Sequence, residues 1–312
     1  MRLISLLSRL HRVLALAVRH ILVVEGACAD LRGQYGHRRR PFVPAWLGAQ
    51  TVKPRWLLTG LVALGMCIPL AAHAAAPAPL TICIEDVPLS PWSMPDGTGL
   101  MIELLRRVEA QLDEKFEFIA KPWKRCQEET RFGVVAGALG AAESPDRRSY
   151  AVFPSGPNGR ADSQRALYSE PFHVYIRQDS GASWDGTALK MPADKAVLTQ
   201  RGYVVTDMLR NAGLKVSEAV ASGPDAIRHL SARIFYVAVL QSNEIDREYD
   251  ANPPWRSVIT RAERPYTIQH FHLMIGKTTY ERDPQRIEAI WQAIAQVRAS
   301  KEYKRLLAAA TR

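Results

Sequence analysis

The groups with chemistry to offer are few and scattered. Glu85 and Asp86 stand side by side at the end of a short apolar stretch, Leu80-Thr81-Ile82-Cys83-Ile84. Paired carboxyls can serve as acid and base, but neighbours on a strand point to opposite faces, so these two make a poor catalytic pair. His270 and His272, two apart on an extended segment, face one side and offer two ligands to a metal. No cysteine or acid adjoins them in sequence, so they read as hinge or cleft histidines and no metal is expected. The chain contains no G-x-S-x-G elbow, no H-E-x-x-H pair and no phosphate-cradling glycine loop. These residue types describe a binder without a cofactor rather than a catalyst; a hydrolase built on Glu85 is the alternative.

The apolar pattern supplies the elements that must position these groups. Residues 80–84 read as a strand that breaks into an acidic, proline-rich loop, Glu85-Asp86-Val87-Pro88-Leu89-Ser90-Pro91-Trp92. Residues 99–112 carry apolar side chains at 100, 101, 104, 105, 108 and 112, the helical period. Residues 115–120 alternate as a strand, Pro122 ends it, and a helix is predicted over 123–131. Residues 133–141 read as a third strand, rich in small residues, leading into Ser144-Pro145-Asp146-Arg147 and Phe153-Pro154. Residues 167–176 are extended chain.

Strand and helix then alternate again. Residues 196–203 form a strand turning at Gly202, followed by a helix over 204–211, a short strand at 215–216 and a helix over 225–230. Residues 234–240 are continuously apolar, as suits a strand buried on both faces. A helix over 243–249 stops at Pro253-Pro254. A long strand over 266–275 and helices over 284–299 and 301–310 close the chain, the first helix with Ile287, Ile290, Trp291, Ile294 and Val297 on one face. Such alternation implies parallel sheets with right-handed crossovers. Two such units, with two crossings, predict an α/β fold of two Rossmann-like lobes joined by two hinge strands, placed at 175–178 and 266–271. The first lobe is expected to comprise residues 80–175 and 267–312, the second 179–264. The strand ends then meet at a cleft, where open α/β sheets bind ligands.

The 312 residues carry a net charge of +10, with 47% hydrophobic and 23% charged side chains. The basic excess is local. Ten of the 41 Lys and Arg and two of the 31 acids fall in residues 1–74, leaving a near balance beyond, so nucleic acid is discarded as a partner of the folded part. Lys53-Pro54-Arg55, an apolar run from Trp56 to Ala72 and Ala72-His73-Ala74 read as a cleaved signal peptide over 51–74. Residues 1–50 read as an extension upstream of the true start, without fixed structure. Export to the periplasm follows, and Cys83 and Cys126 then sit in an oxidising compartment. Neighbouring strands could bring them together as a disulfide; two buried free thiols are the alternative.

Taken in order, these motifs resemble the type 2 periplasmic solute-binding proteins, nearest to family 3 of the extracellular binding proteins that serve amino-acid uptake. The resemblance spans about residues 80–308. It rests on the acidic-proline-aromatic loop, Gly97 and Gly99 before the first helix, Pro122-Trp123, Ser144-Pro145-Asp146-Arg147 with Phe153, Gln200-Arg201-Gly202 and the two terminal helices. It implies that Arg147 clamps a ligand carboxylate, against the alternative of a surface ion pair with Asp146 or Glu143. It also implies that Trp92 packs on the ligand, that Asp86 meets a ligand amine and that Gly202 and Tyr203 form a helix start able to receive a carboxylate. Core packing for Trp92 and loop capping for Asp86 are the alternatives. The family's small polar residues before the arginine are here Leu139, Gly140 and Ala142, and its second-lobe aspartate is Ser242, preceded by Gln241. A free α-amino acid therefore loses part of its recognition. The resemblance implies a small-molecule ligand, a monomer, and an ABC permease or membrane receptor as partner.

Overall fold

The computed structural model describes residues 78–241 and 244–310. The expected extension (1–50), the signal peptide (51–74) and Ser242 lie outside the described residues. Among the described residues no helix is long and apolar enough to cross a membrane.

The first unit runs β1 (Leu80–Glu85), α1 (Leu100–Leu112), β2 (Phe116–Lys121), α2 (Trp123–Arg131), β3 (Gly137–Ala142), α3 (Pro145–Tyr150) and β4 (Ala151–Val152). Helix α1 buries Leu100, Met101, Leu104, Leu105 and Val108, the stripe its sequence period predicts, while Arg106 and Arg107 sit outside that stripe. The predicted third strand is shorter at its start. Residues 133–136 turn instead: Gly133 has φ +69, the Val134 N–H returns to the Glu129 carbonyl, and Val134 is left 66% exposed. The glycine closes α2 with backbone that a side chain would strain, so hydrophobicity alone overcalled the strand.

The second unit follows β5 (Tyr168–Arg177). It comprises a small hairpin, β6 (Ser183–Trp184) and β7 (Leu189–Lys190), then β8 (Val197–Gln200), α4 (Val205–Asn211), β9 (Val216–Val220), α5 (Gly223–Ser231) and β10 (Val237–Gln241). Next come α6 (Glu244–Ala251), α7 (Pro253–Arg256) and β11 (Ile259–Arg261). Pro253-Pro254 thus opens a short helix capped by Asn252 instead of only ending the one before. The chain returns through β12 (Thr267–Gly276) into α8 (Lys277–Arg282), α9 (Pro284–Ala299) and α10 (Lys301–Ala310).

The strands lie in the order β2-β1-β3-β12-β5-β10-β8-β9. Pairing is parallel within β2-β1-β3 and within β10-β8-β9, as βαβ crossovers require. The two long strands between them run antiparallel. Their early halves pair with each other, from Tyr168 against Phe271 to Phe172 against Thr267. Their later halves part, β12 to β3 in one lobe and β5 to β10 in the other. The two lobes and their two connecting strands are therefore present. Tyr175, expected at the first crossing, already pairs with Ala238 and Arg261 inside the second lobe's sheet.

A disulfide joins Cys83 on β1 to Cys126 on α2, with Cα atoms 5.4 Å apart. The expected bridge forms between a strand and a helix. Closing a loop of 43 residues contributes about 4 kcal/mol on the chain-entropy view. Strand β10 is buried at every position, but it starts three residues later than the predicted 234–240: Ile234 is 60% exposed in the turn that follows α5.

Candidate functional site

The carboxyl ends of five strands converge between the lobes. From the first lobe, β1 ends in Glu85, β2 passes through Pro122 into Trp123, and β3 passes through Ser144 into Arg147. The Ser144 hydroxyl accepts the Arg147 N–H at 3.2 Å, an N-cap that starts α3 and fixes where the arginine leaves it. From the second lobe, β8 ends in the turn Gly202-Tyr203 before α4, and β10 ends in Gln241. Glu85, Arg147, Tyr203, Gln241, Phe172 and Phe271 are among the residues that line a cavity of about 20 Å³ there, room for about one water.

Its electrostatics are unusual for so small a space. Burial pushes the Glu85 carboxyl up to about 8, only partly offset by the hydrogen bond from the Tyr203 hydroxyl at 2.8 Å; Asp86 adds to the rise and Arg147 opposes it. Burial likewise pushes Glu170 up to about 8. Glu170 accepts from the Gln241 amide at 2.8 Å, and that same nitrogen donates to the Tyr168 hydroxyl at 3.0 Å. The Arg147 guanidinium, 4% exposed, donates to the carbonyls of Ala142 at 2.6 Å and Gly202 at 3.0 Å. It also lies over the Trp123 ring, 5.3 Å from its centroid. Burial lowers its pKa; an arginine keeps its charge regardless.

No protein-family model matches the chain, and no curated protein matches it either. Solved structures do. A histidine kinase sensor domain with similarity to periplasmic binding proteins superposes with a TM-score of 0.59 at 17% identity, covering 74% of this chain and 95% of that one. The GluR0 ligand-binding core from Nostoc punctiforme, in complex with L-glutamate, gives 0.56 at 15% identity, covering 74% and 99%. An arginine-specific periplasmic binding protein of Salmonella typhimurium also gives 0.56 at 15% identity, covering 75% and 99%. This is the type 2 periplasmic-binding-protein fold.

Within a periplasmic-binding-protein fold the residues expected at the site separate into two groups. Arg147, Tyr203 and Gln241 line the cavity, and Gly202 sits against it through its carbonyl. Arg147 is not a surface ion pair: Asp146 pairs with Arg131 and Glu143 with Arg148. The Gly202 N–H, expected to be open to a carboxylate, instead donates to Glu218 at 2.7 Å. Asp86 and Trp92 are outside the cavity. Asp86 is exposed, its N–H tied to the Lys121 carbonyl. Its neighbour Glu85 takes the inward place, because alternation on β1 sends adjacent side chains to opposite faces. Trp92 is buried and stacks on Tyr168 at 4.1 Å, and Tyr168 in turn stacks on Phe271, so the tryptophan sits one ring behind the wall.

Sequence reasoning passed over Trp123, which lines the cavity, and Glu170, which lies behind it and holds Gln241. Glu170 was detectable: Tyr168, Glu170, Phe172 and Val174 fall at period two on β5, and all four are buried. A glutamate in phase with an aromatic core stripe is a polar group placed inside. His270 and His272 do not act together; His270 meets Ser169 at 2.6 Å, whereas His272 is buried beside the Asp162 carbonyl.

Proposed function

We propose that the chain is an exported, periplasmic, non-catalytic binding protein that captures a small carboxylate-bearing solute between its lobes, with Arg147 as the anion contact. One observation carries this reading. Arg147 is a buried cation at the cleft whose side-chain acceptors are two neutral carbonyls, with no acidic side chain in salt-bridge range among the described residues. A guanidinium so placed has both prongs committed to weaker acceptors than a carboxylate would be. The lobes are proposed to divide within β5 and β12, the first comprising 80–167 with 272–312 and the second 173–264, and to move about the stretch where β5 and β12 pair. Gln241 and Tyr203 are proposed to contact the ligand from the second lobe. Delivery to an ABC-type permease completes the reading. A membrane receptor is the second reading, supported by the likeness to a histidine kinase sensor domain.

A thermal-shift screen of the purified protein against amino acids, organic acids and small peptides tests this. Carboxylates are expected to raise the midpoint. Arg147→Ala is expected to weaken their binding by about 100-fold, the loss of about 3 kcal/mol of charge-assisted hydrogen bonding. A carboxylate shift that survives Arg147→Ala would sink the assignment.

A further inference from the structure

The Gly202 carbonyl is the most heavily solicited acceptor in the cleft. Three first-lobe side chains donate to it: Arg147 Nη2 at 3.0 Å, Trp123 Nε1 at 3.2 Å and Gln127 Nε2 at 3.3 Å. A carbonyl oxygen offers two lone pairs, so three donors, one of them charged, exceed what a neutral acceptor can use well. The cradle suits an anionic oxygen better than the one it holds. On its other side the same peptide is held by Glu218, which accepts the Gly202 N–H and is itself 3.6 Å from Lys124 of the first lobe. The Tyr203 hydroxyl adds a second clasp to Glu85, and Arg247 a third to Ser90 at 3.0 Å. The cavity of about 20 Å³ beside Glu85 admits no carboxylate-bearing solute, and a second, polar cavity of about 130 Å³ lies on the other side of the Gly202 peptide, against Gln127, Arg147 and Glu218.

We infer that this chain latches its own lobes shut, with the Gly202 carbonyl standing in the three-donor cradle of Arg147, Trp123 and Gln127 where a ligand's anionic oxygen goes. The inference rests on the carboxylate reading above and adds regulation to it. Ligand-free protein is closed, and a carboxylate takes the three donors only by displacing the protein's own carbonyl. Trp123 and Gln127 become part of the anion subsite beside Arg147. The approach depends on residue 202 being glycine. Its φ is +77, and a Cβ there would lie 2.9 Å from both Gln127 Nε2 and Lys124 Cγ. Gly202→Ala therefore strains the second-lobe turn and crowds Gln127 and Lys124, opposing the latch while the Arg147 donor is left unchanged.

Small-angle scattering of the full chain without ligand, with and without Gly202→Ala, reads the latch directly. The wild type is expected to scatter as a closed form and the variant with a larger radius of gyration. Acetate, followed calorimetrically as the carboxylate probe, is expected to bind the variant about tenfold more tightly, as when about a tenth of the ligand-free wild type is open. An open wild type, a variant that stays closed, or equal acetate affinity in the two overturns the latch. Should Gly202→Ala not fold, Tyr203→Phe removes the second clasp; an unchanged radius of gyration there overturns it as well. A variant that opens as expected while neither protein binds acetate overturns acetate competition and the carboxylate reading together, and leaves the closed ligand-free state standing.

Discussion

Two carboxyls, one buried in the cleft and one half-buried on the second lobe, are driven in opposite directions. Glu85 is pushed up to about 8 and Asp246 is pulled down to about 2. Burial raises both. At Asp246 it is outweighed by hydrogen bonds from His173 and Tyr175 and by the charge and hydrogen bond of Arg261, 3.0 Å away. At Glu85 the direct side-chain partner is a neutral phenol, and Arg147 spends its donors on carbonyls. Burial penalises charge unless a partner of opposite sign is near. Asp246 is a completed structural pair, whereas Glu85 is a carboxyl held neutral by burial beside a neutral partner.

The contrast fixes the pH dependence of stability. Glu85 has a folded-state pKa above its ordinary 4.5, so its contribution is full below about 4.5 and is lost as pH rises through about 8. Glu170 acts in the same sense and window. Asp246 has the opposite sign: its contribution is present above 3.8 and is lost as pH falls through about 2. The largest expected effect is therefore on the alkaline side. From pH 4.5 to 8 the wild type should lose up to about 5 kcal/mol through Glu85. Glu85→Gln should flatten that limb in chemical-denaturation profiles; an equally steep limb would show that Glu85 is solvated.

The second test unpairs the other acid. Arg261→Ala should return Asp246 toward 3.8 and cost about 1 to 2 kcal/mol near neutral pH, after allowance for the part-exposed arginine. Its acid limb should begin at a higher pH, and an unmoved limb would place the stabilisation in the hydrogen bonds from His173 and Tyr175. The smallest effect belongs to Tyr203→Phe. Losing one neutral hydrogen bond should cost about 1 kcal/mol and push the Glu85 carboxyl further up, seen as a small shift of the alkaline limb. No change in either would mean that the two lobes do not meet at that bond in solution.

Much of the fold was legible because its signals are local. The α2 helix spans the predicted 123–131 after Pro122, and the buried face of α9 contains the predicted Ile287, Ile290, Trp291, Ile294 and Val297, with Ala293 added. The site was legible in part. Arg147, Tyr203 and Gln241 sit where strand ends point, which order along the chain reveals. Asp86 missed by one residue, since the phase of β1 depends on its register against β2, where Glu85 faces Lys121. Trp92 missed because stacking on Tyr168 requires a residue 76 positions away, beyond any local pattern.

Composition, periodicity and turn residues by themselves determined two βα units, their carboxyl-end edge and the arginine at it, because burying an apolar stripe needs only its own spacing. The tertiary structure alone decided which acid faces inward, that β5 and β12 share their early halves, and that the Gly202 carbonyl fills the cradle around Arg147. Those outcomes depend on pairing register and on the approach of one lobe to the other, long-range contacts that no stretch of sequence encodes separately.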